Sequence, residues 1–115
     1  MQRGEIVWAD LDPVRGNEAN KRRPVVIVSN DGANREAERL GRGVITVVPL
    51  SSNVSRVFPF QVLIPAAQGP LRRDSKAQAE QIRSLSVARL GRSVGRLSSD
   101  LLADVDDAIR LQLSL

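Results

Sequence analysis

Three consecutive cations, Lys21, Arg22 and Arg23, close an eleven-residue polar loop that runs from Pro13 to Arg23 between two apolar, strand-like stretches. Cations gathered at a loop end can hold a phosphodiester, and loops of this kind commonly carry function. Pro24 follows Arg23 and restricts it toward extended conformations, so the guanidinium is launched from a pre-set backbone. Glu18 is the only carboxylate in that loop and stands five residues before Arg23. It suits either a proton transfer or a salt bridge that orients Arg23. Ser51 and Ser52 end the apolar run VVPL and offer hydroxyls at a strand end, with Asn53 next to them. In the segment AEQIRS, alternation along a strand puts Gln81 and Arg83 on one face and Glu80 on the other.

The chain has no histidine and no cysteine. The usual general base, the thiolate nucleophile and the soft metal ligands are therefore missing, and any catalysis has to run on Arg, Lys, Ser, Thr and carboxylates. Asp10 and Asp12 are the obvious carboxylate pair for a hard cation. They lack a converging third ligand and are better read as turn and edge residues, so neither a metal nor a cofactor is expected. The 17 Lys and Arg against 13 Asp and Glu give a net charge of +4, and all the basic residues but Lys21 and Lys76 are arginine. Arginine binds phosphate bidentately and stays charged, which leans toward a nucleic-acid partner. With only Trp8, Phe58 and Phe60 as aromatics, such binding is expected to rest on backbone charge and hydrogen bonds.

The elements that must position these residues fit one domain, residues 1–115, long enough to bury a core without disulfides. No apolar run approaches the roughly 18 residues of a membrane span, and MQRGEIVW lacks a signal peptide's long apolar region, so a cytoplasmic protein is expected. Ile6 to Leu11 is apolar on both faces and predicts a strand packed on two sides, ended by Asp12-Pro13. Val25 to Val28 predicts a second strand, Asn34 to Leu40 two helical turns stopped by Gly41, Gly43 to Leu50 a third strand, and Phe60 to Ile64 a fourth. Arg72-Arg73-Asp74 reads as a charged loop tip. Val87 to Leu90 predicts one helical turn and Ser93 to Leu97 a last strand. Ser99 is a candidate N-cap for a helix with Leu102, Val105, Ile109 and Leu113 on one face.

Taken in order, RGE at Arg3 to Glu5, Asp12-Pro13, Gly16-Asn17-Glu18, Arg23-Pro24 entering Val25 to Val28, and the trailing Ser29-Asn30-Asp31 resemble the opening of the MazF/PemK family of bacterial toxin endoribonucleases. VPLSSN and AEQIRS match two further elements of that family, and the resemblance covers nearly the whole chain. It implies a mainly β fold with short helices, a small twisted SH3-like β-barrel of the MazF/PemK/CcdB type with a C-terminal helix, working as a homodimer. It implies a strand at the EQIRS element, whereas between Lys76 and Leu85 the Ala, Gln and Glu content of KAQAEQIR favours a helix; the strand is the expectation adopted, because tertiary pairing overrides weak propensity. By resemblance Arg23 is catalytic and Ser51 holds the catalytic hydroxyl, with Glu18 beside them. Asn17, Lys21, Arg22, Ser52, Asn53, Gln81 and Arg83 are expected to contact RNA. Asn17 departs from the serine of many relatives.

The activity so implied is sequence-specific cleavage of single-stranded RNA, silenced by a cognate MazE-type antitoxin with an acidic C-terminal segment. Without a metal, the RNA's own 2′-OH attacks the adjacent phosphorus, and the enzyme places it in line and stabilises the added charge. A fold-sharing alternative is a gyrase poison of the CcdB type, which acts without catalysis. Those poisons resemble one another in a Trp close to the C-terminus, whereas this chain ends LQLSL and its only Trp is Trp8. A non-catalytic RNA-binding barrel is a third reading, and it has no need of an Arg23/Ser51 pair.

Overall fold

The computed structural model describes residues 1–11, 16 and 22–115. Among them, strands β1 (Glu5–Asp10), β2 (Arg22–Ile27), β3 (Val44–Ser51), β4 (Gln61–Ile64), β5 (Ser75–Gln78), β6 (Arg83–Ser86) and β7 (Leu90–Arg96) form one antiparallel sheet, with helices α1 (Asp31–Leu40) and α2 (Ser99–Leu113). The sheet runs β4-β5-β3-β2-β1-β7, and β6 pairs with β3 off this path.

The central strands are apolar on both faces because both faces are covered. Ile6, Val26 and Val48 belong to a core shared with Leu101 and Val105 of α2. Val7, Ala9, Val25, Ile27 and Val47 belong to a second core with Ala37 of α1. Ile6, Val25, Val26 and Ile27 are fully buried. Each side chain of that kind contributes roughly 1.5–3 kcal/mol on leaving water, so the middle of the sheet is its most strongly held part. The two-faced reading of β1 holds, and Leu11, just past its end, is also buried in the second core.

The sheet is not closed, since its end strands β4 and β7 are not paired with each other. The expected barrel is thus an open sheet. Two causes are visible: β7 meets β1 with register shifts between Ile6 and Val7 and between Val7 and Ala9, which bend a ribbon, and β4 has only four residues and packs against α2.

Helix α1 begins at Asp31, three residues before the expected start, because the Asn30 side chain accepts from the Ala33 N–H at 2.8 Å and caps it. The backbone N–H of Arg3, donating to Asp31, holds that carboxyl below its ordinary pKa. Helix α2 is capped by Ser98, not Ser99. Its buried face is Leu101, Val105 and Ala108, with Leu102 and Ile109 packed at the margin, whereas the predicted stripe member Leu113 is 48% exposed. Arg3 pairs with Asp106 and donates to the Val28 carbonyl at 2.9 Å, tying α2 to the start of the chain.

The AEQIRS region is neither one helix nor one strand. β5 pairs with Leu50 and Ser51, β6 pairs with Val44 to Val47, and between them Ala79–Gln81 makes a single 3-10 turn. Both strands therefore lie along the same side of β3. The break falls opposite Val48 and Pro49, where proline has no N–H to give the ladder. The local helical preference of Ala-Glu-Gln prevails for that one turn. None of the helices among the described residues is long and apolar enough to cross a membrane.

Candidate active site

A cleft of about 670 Å³ opens at one end of the sheet. Trp8 of β1, Pro24 of β2, Leu50 of β3 and Val94 of β7 contribute to its lining, with Ser51 to Asn53 and the Pro70–Arg73 segment beside them. β2 begins at Arg22, so Arg22 and Arg23 are strand residues, opposite Asp10 and Ala9 of β1. That pairing fixes the backbone from which both guanidiniums leave.

The register of β2 on β3 sets Val25 against Pro49 and Ile27 against Val47. Continued two residues past the last pair, it sets Arg23 opposite Ser51. Alternation puts Arg23 with Val25 and Ile27, and Ser51 with Val47 and Pro49, on one face. Arg22 and Pro24 stand on the other. Residues of both sets line the cleft, Arg23 and Ser51 from one and Arg22 and Pro24 from the other.

Ser51 is oriented by its own loop. Its Oγ accepts from the Asn53 N–H at 3.2 Å, which leaves the hydroxyl proton to be donated elsewhere. The loop beyond is fixed in turn: Asn53 Oδ1 accepts from the Ser55 hydroxyl at 2.8 Å, and the Nζ of Lys76 donates to the Arg56 carbonyl at 2.7 Å. Lys76 is the β5 partner of Ser51 and is buried, so it anchors the serine's loop from beneath. Gln61 extends the support, with its Oε1 accepting from the Phe58 N–H and its Nε2 donating to Glu80.

Arg22, Arg23, Arg72, Arg73 and Arg92 all line the cleft, and no carboxylate does so among the described residues. A concave surface with one sign of charge and apolar walls focuses potential and gathers anions. A phosphodiester placed between Arg23 and Ser51 would meet a permanent cation and a neutral donor from two different strands. That is an arrangement for stabilising charge on phosphorus, while neither group is a natural base.

Of the residues expected at the site, Arg22, Arg23, Ser51, Ser52 and Asn53 are brought together here. Asn17, Glu18 and Lys21 lie outside the described residues. Gln81 and Arg83 do not line this cleft: Gln81 is in the 3-10 turn rather than in a strand, so the alternation expected for the pair does not apply. Arg83 opens β6, pairs with Val47 and reaches the carbonyl of Leu11 at 3.5 Å, beneath the end of β1. The sequence reading missed Trp8, Arg72, Arg73 and Arg92 as cleft residues. The signal for them is the pair of glycines in β7, Gly91 and Gly95, which mark close approaches on a strand.

Ser51→Ala should lower cleavage of an RNA substrate about ten- to a hundredfold, the loss of one hydrogen bond to a charged group, roughly 1.5–3 kcal/mol. Ser51→Thr should stay within a few fold of the parent, because the hydroxyl is retained. Equal rates for the parent and Ser51→Ala in a single-turnover assay would remove Ser51 from the site.

Residues 2–113 match the family described as PemK-like, MazF-like toxin of type II toxin–antitoxin system. The chain is 59% identical over 115 residues to Endoribonuclease MazF9 of Mycobacterium tuberculosis (strain ATCC 25618 / H37Rv), covering 100% of this chain and 98% of that one. In structure it is similar to MazF from Deinococcus radiodurans, with a TM-score of 0.80 and 26% identity over 100% of this chain and 97% of that one. It shares its fold with an endoribonuclease from a mycobacterial species solved in complex with its cognate antitoxin, with a TM-score of 0.79 and 23% identity over 100% and 96% of the two chains.

Proposed function

The chain belongs to the PemK-like, MazF-like family of toxins of type II toxin–antitoxin systems, and we propose that it is an endoribonuclease that cuts single-stranded RNA between Arg23 and Ser51 by metal-independent attack of the RNA's own 2′-OH. The observation that supports this reading is that Arg23 and Ser51 line one arginine-rich cleft, where the β2–β3 register, continued two residues past its last pair, brings them opposite each other. The relative named Endoribonuclease MazF9 supports the activity over the gyrase-poison alternative. Trp8, the only tryptophan, lies in the cleft rather than near the C-terminus.

In the reaction the 2′-oxygen forms a bond to phosphorus as the bond from phosphorus to the 5′-oxygen breaks. The products are a 2′,3′-cyclic phosphate and a 5′-OH. Arg23 binds the non-bridging oxygens and stabilises the charge that builds on them, and Ser51 donates its hydroxyl proton to the same phosphate. A guanidinium is a poor base near neutral pH, so the 2′-OH proton goes to water or to Glu18. The 5′-oxygen receives a proton as it leaves.

Arg22, Ser52 and Asn53 extend the contact along the RNA, and Asn17, Lys21, Gln81 and Arg83 are the further RNA contacts carried over from the family pattern. The protein works in the cytoplasm as a homodimer and is held silent by a cognate MazE-type antitoxin, whose acidic segment competes with RNA for the arginines. Incubating the purified protein with mixed single- and double-stranded RNA and sequencing the new 5′ ends tests the activity. Cuts at one short sequence in single strands are expected, and intact RNA would refute it.

Control at the same cleft predicts mutual exclusion. A non-cleavable RNA and the acidic antitoxin segment should each raise the apparent Kd of the other in proportion to concentration. RNA affinity should also fall steeply with salt as fewer counterions are released on binding. A ternary complex with neither affinity reduced would place the antitoxin elsewhere.

A further inference from the structure

One scissile phosphate needs fewer cations than this cleft offers. Arg22, Arg72, Arg73 and Arg92 are exposed and come from three separate parts of the chain. Among the described residues, none of the four guanidiniums has an ion-pair or hydrogen-bond partner. Unpaired like charges gathered in one concavity repel, and a second bound anion relieves them.

Strand β7 is stripped of side chains where the two walls of this part of the cleft cross it. A Cβ on Gly91 would lie 2.7 Å from a terminal guanidinium nitrogen of Arg22 and 3.6 Å from Cβ of Trp8. Gly91 has no positive φ, so its backbone does not demand glycine; a side chain there would push the flexible end of Arg22 out of this position. At Gly95 a Cβ would lie 2.6 Å from Cβ of Pro70, at the head of the segment that carries Arg72 and Arg73. Trp8 is partly exposed in the same cleft, next to the Arg22 seat. An indole beside guanidiniums is a platform for a nucleobase.

We propose that Arg22, Arg72, Arg73 and Arg92, with Trp8 as a stacking plate, form a second nucleotide subsite that holds the phosphodiester and base neighbouring the scissile position. This rests on the reading of the cleft as an RNA site. Gly91 is its positioning residue, acting through Arg22. The segment read from sequence as a plain charged loop tip is then one wall of the subsite.

Trp8 is the only tryptophan and there is no tyrosine, so intrinsic fluorescence reports on this subsite alone. The probe is a hexanucleotide of the protein's own cut sequence, taken from its product 5′ ends, with 2′-deoxyribose at the scissile position. It is compared with copies in which one phosphate at a time is a neutral methylphosphonate. Binding should quench Trp8, and Arg72→Gln and Arg92→Gln should each weaken binding about tenfold. Methylphosphonate at one linkage adjacent to the scissile one should weaken wild-type binding similarly but cost the Arg92→Gln variant less than twofold. Gly91→Ala should weaken binding as Arg22→Gln does and add nothing to it in the double variant. Losses that are the same at every linkage, unchanged Trp8 emission, or variants that bind like wild type would overturn the subsite while leaving cleavage by the parent intact. A parent that neither binds nor cuts RNA would overturn both the subsite and the endoribonuclease reading.

Discussion

Replacing Arg23 with alanine should slow RNA cleavage by on the order of 10² to 10³, because in the proposed site it removes the main fixed charge facing the phosphorus as it gains a fifth ligand. The fold should persist. Arg23 sits in β2 through backbone pairing with Ala9, and its side chain is half-exposed, outside both apolar cores. Arg23→Lys should recover only part of the rate, since a point charge replaces a planar fork with several donors. Single-turnover rates, RNA affinity and melting temperature measured on the same preparations separate the possible causes. A large fall in rate with a small fall in affinity assigns Arg23 to the transition state. An undiminished rate would leave the cleft a binding surface and revive the non-catalytic reading.

A substrate carrying 2′-deoxyribose at the scissile nucleotide alone should not be cut at all within the time in which the parent RNA is consumed. In the proposed mechanism the nucleophile belongs to the RNA, so removing one oxygen removes it, while the phosphates proposed to meet Arg22, Arg23 and the other arginines are unchanged. Binding should therefore stay within a few fold. This is the largest effect expected, because it deletes a reactant rather than one of several stabilising groups. Cutting of the modified strand would mean that the attacking oxygen comes from water or from a side chain such as Ser51.

Much of this was legible in the sequence wherever a local rule decides. The two-faced apolar pattern from Ile6 to Leu11 foretells a strand buried on both sides, as its residues in the two cores now show. Pro24 after Arg23 marks a strand entry, and the serines after Leu50 mark a strand end. What was not legible depends on pairing between distant segments. Trp8, Arg72 and Arg92 share a cleft only because β7 returns beside β1 and Pro70 settles on Gly95, contacts that no periodicity encodes. The split of Lys76 to Leu85 into β5, a 3-10 turn and β6 depends on Pro49 across the sheet. Closure into a barrel depends on whether β4 meets β7, and the short β4 meets α2 instead. Glu18, the candidate base, lies outside the described residues, and its role rests on the family pattern.

The most direct measurement of the central claim is the chemistry of the ends left on a defined RNA cut by the purified protein in EDTA. Attack by the 2′-OH on a phosphate held by Arg23 predicts full activity in the chelator, a 2′,3′-cyclic phosphate (or the 3′-phosphate it opens to) on one fragment, and a 5′-OH on the other. Activity that requires Mg²⁺ and leaves 5′-phosphates would contradict it.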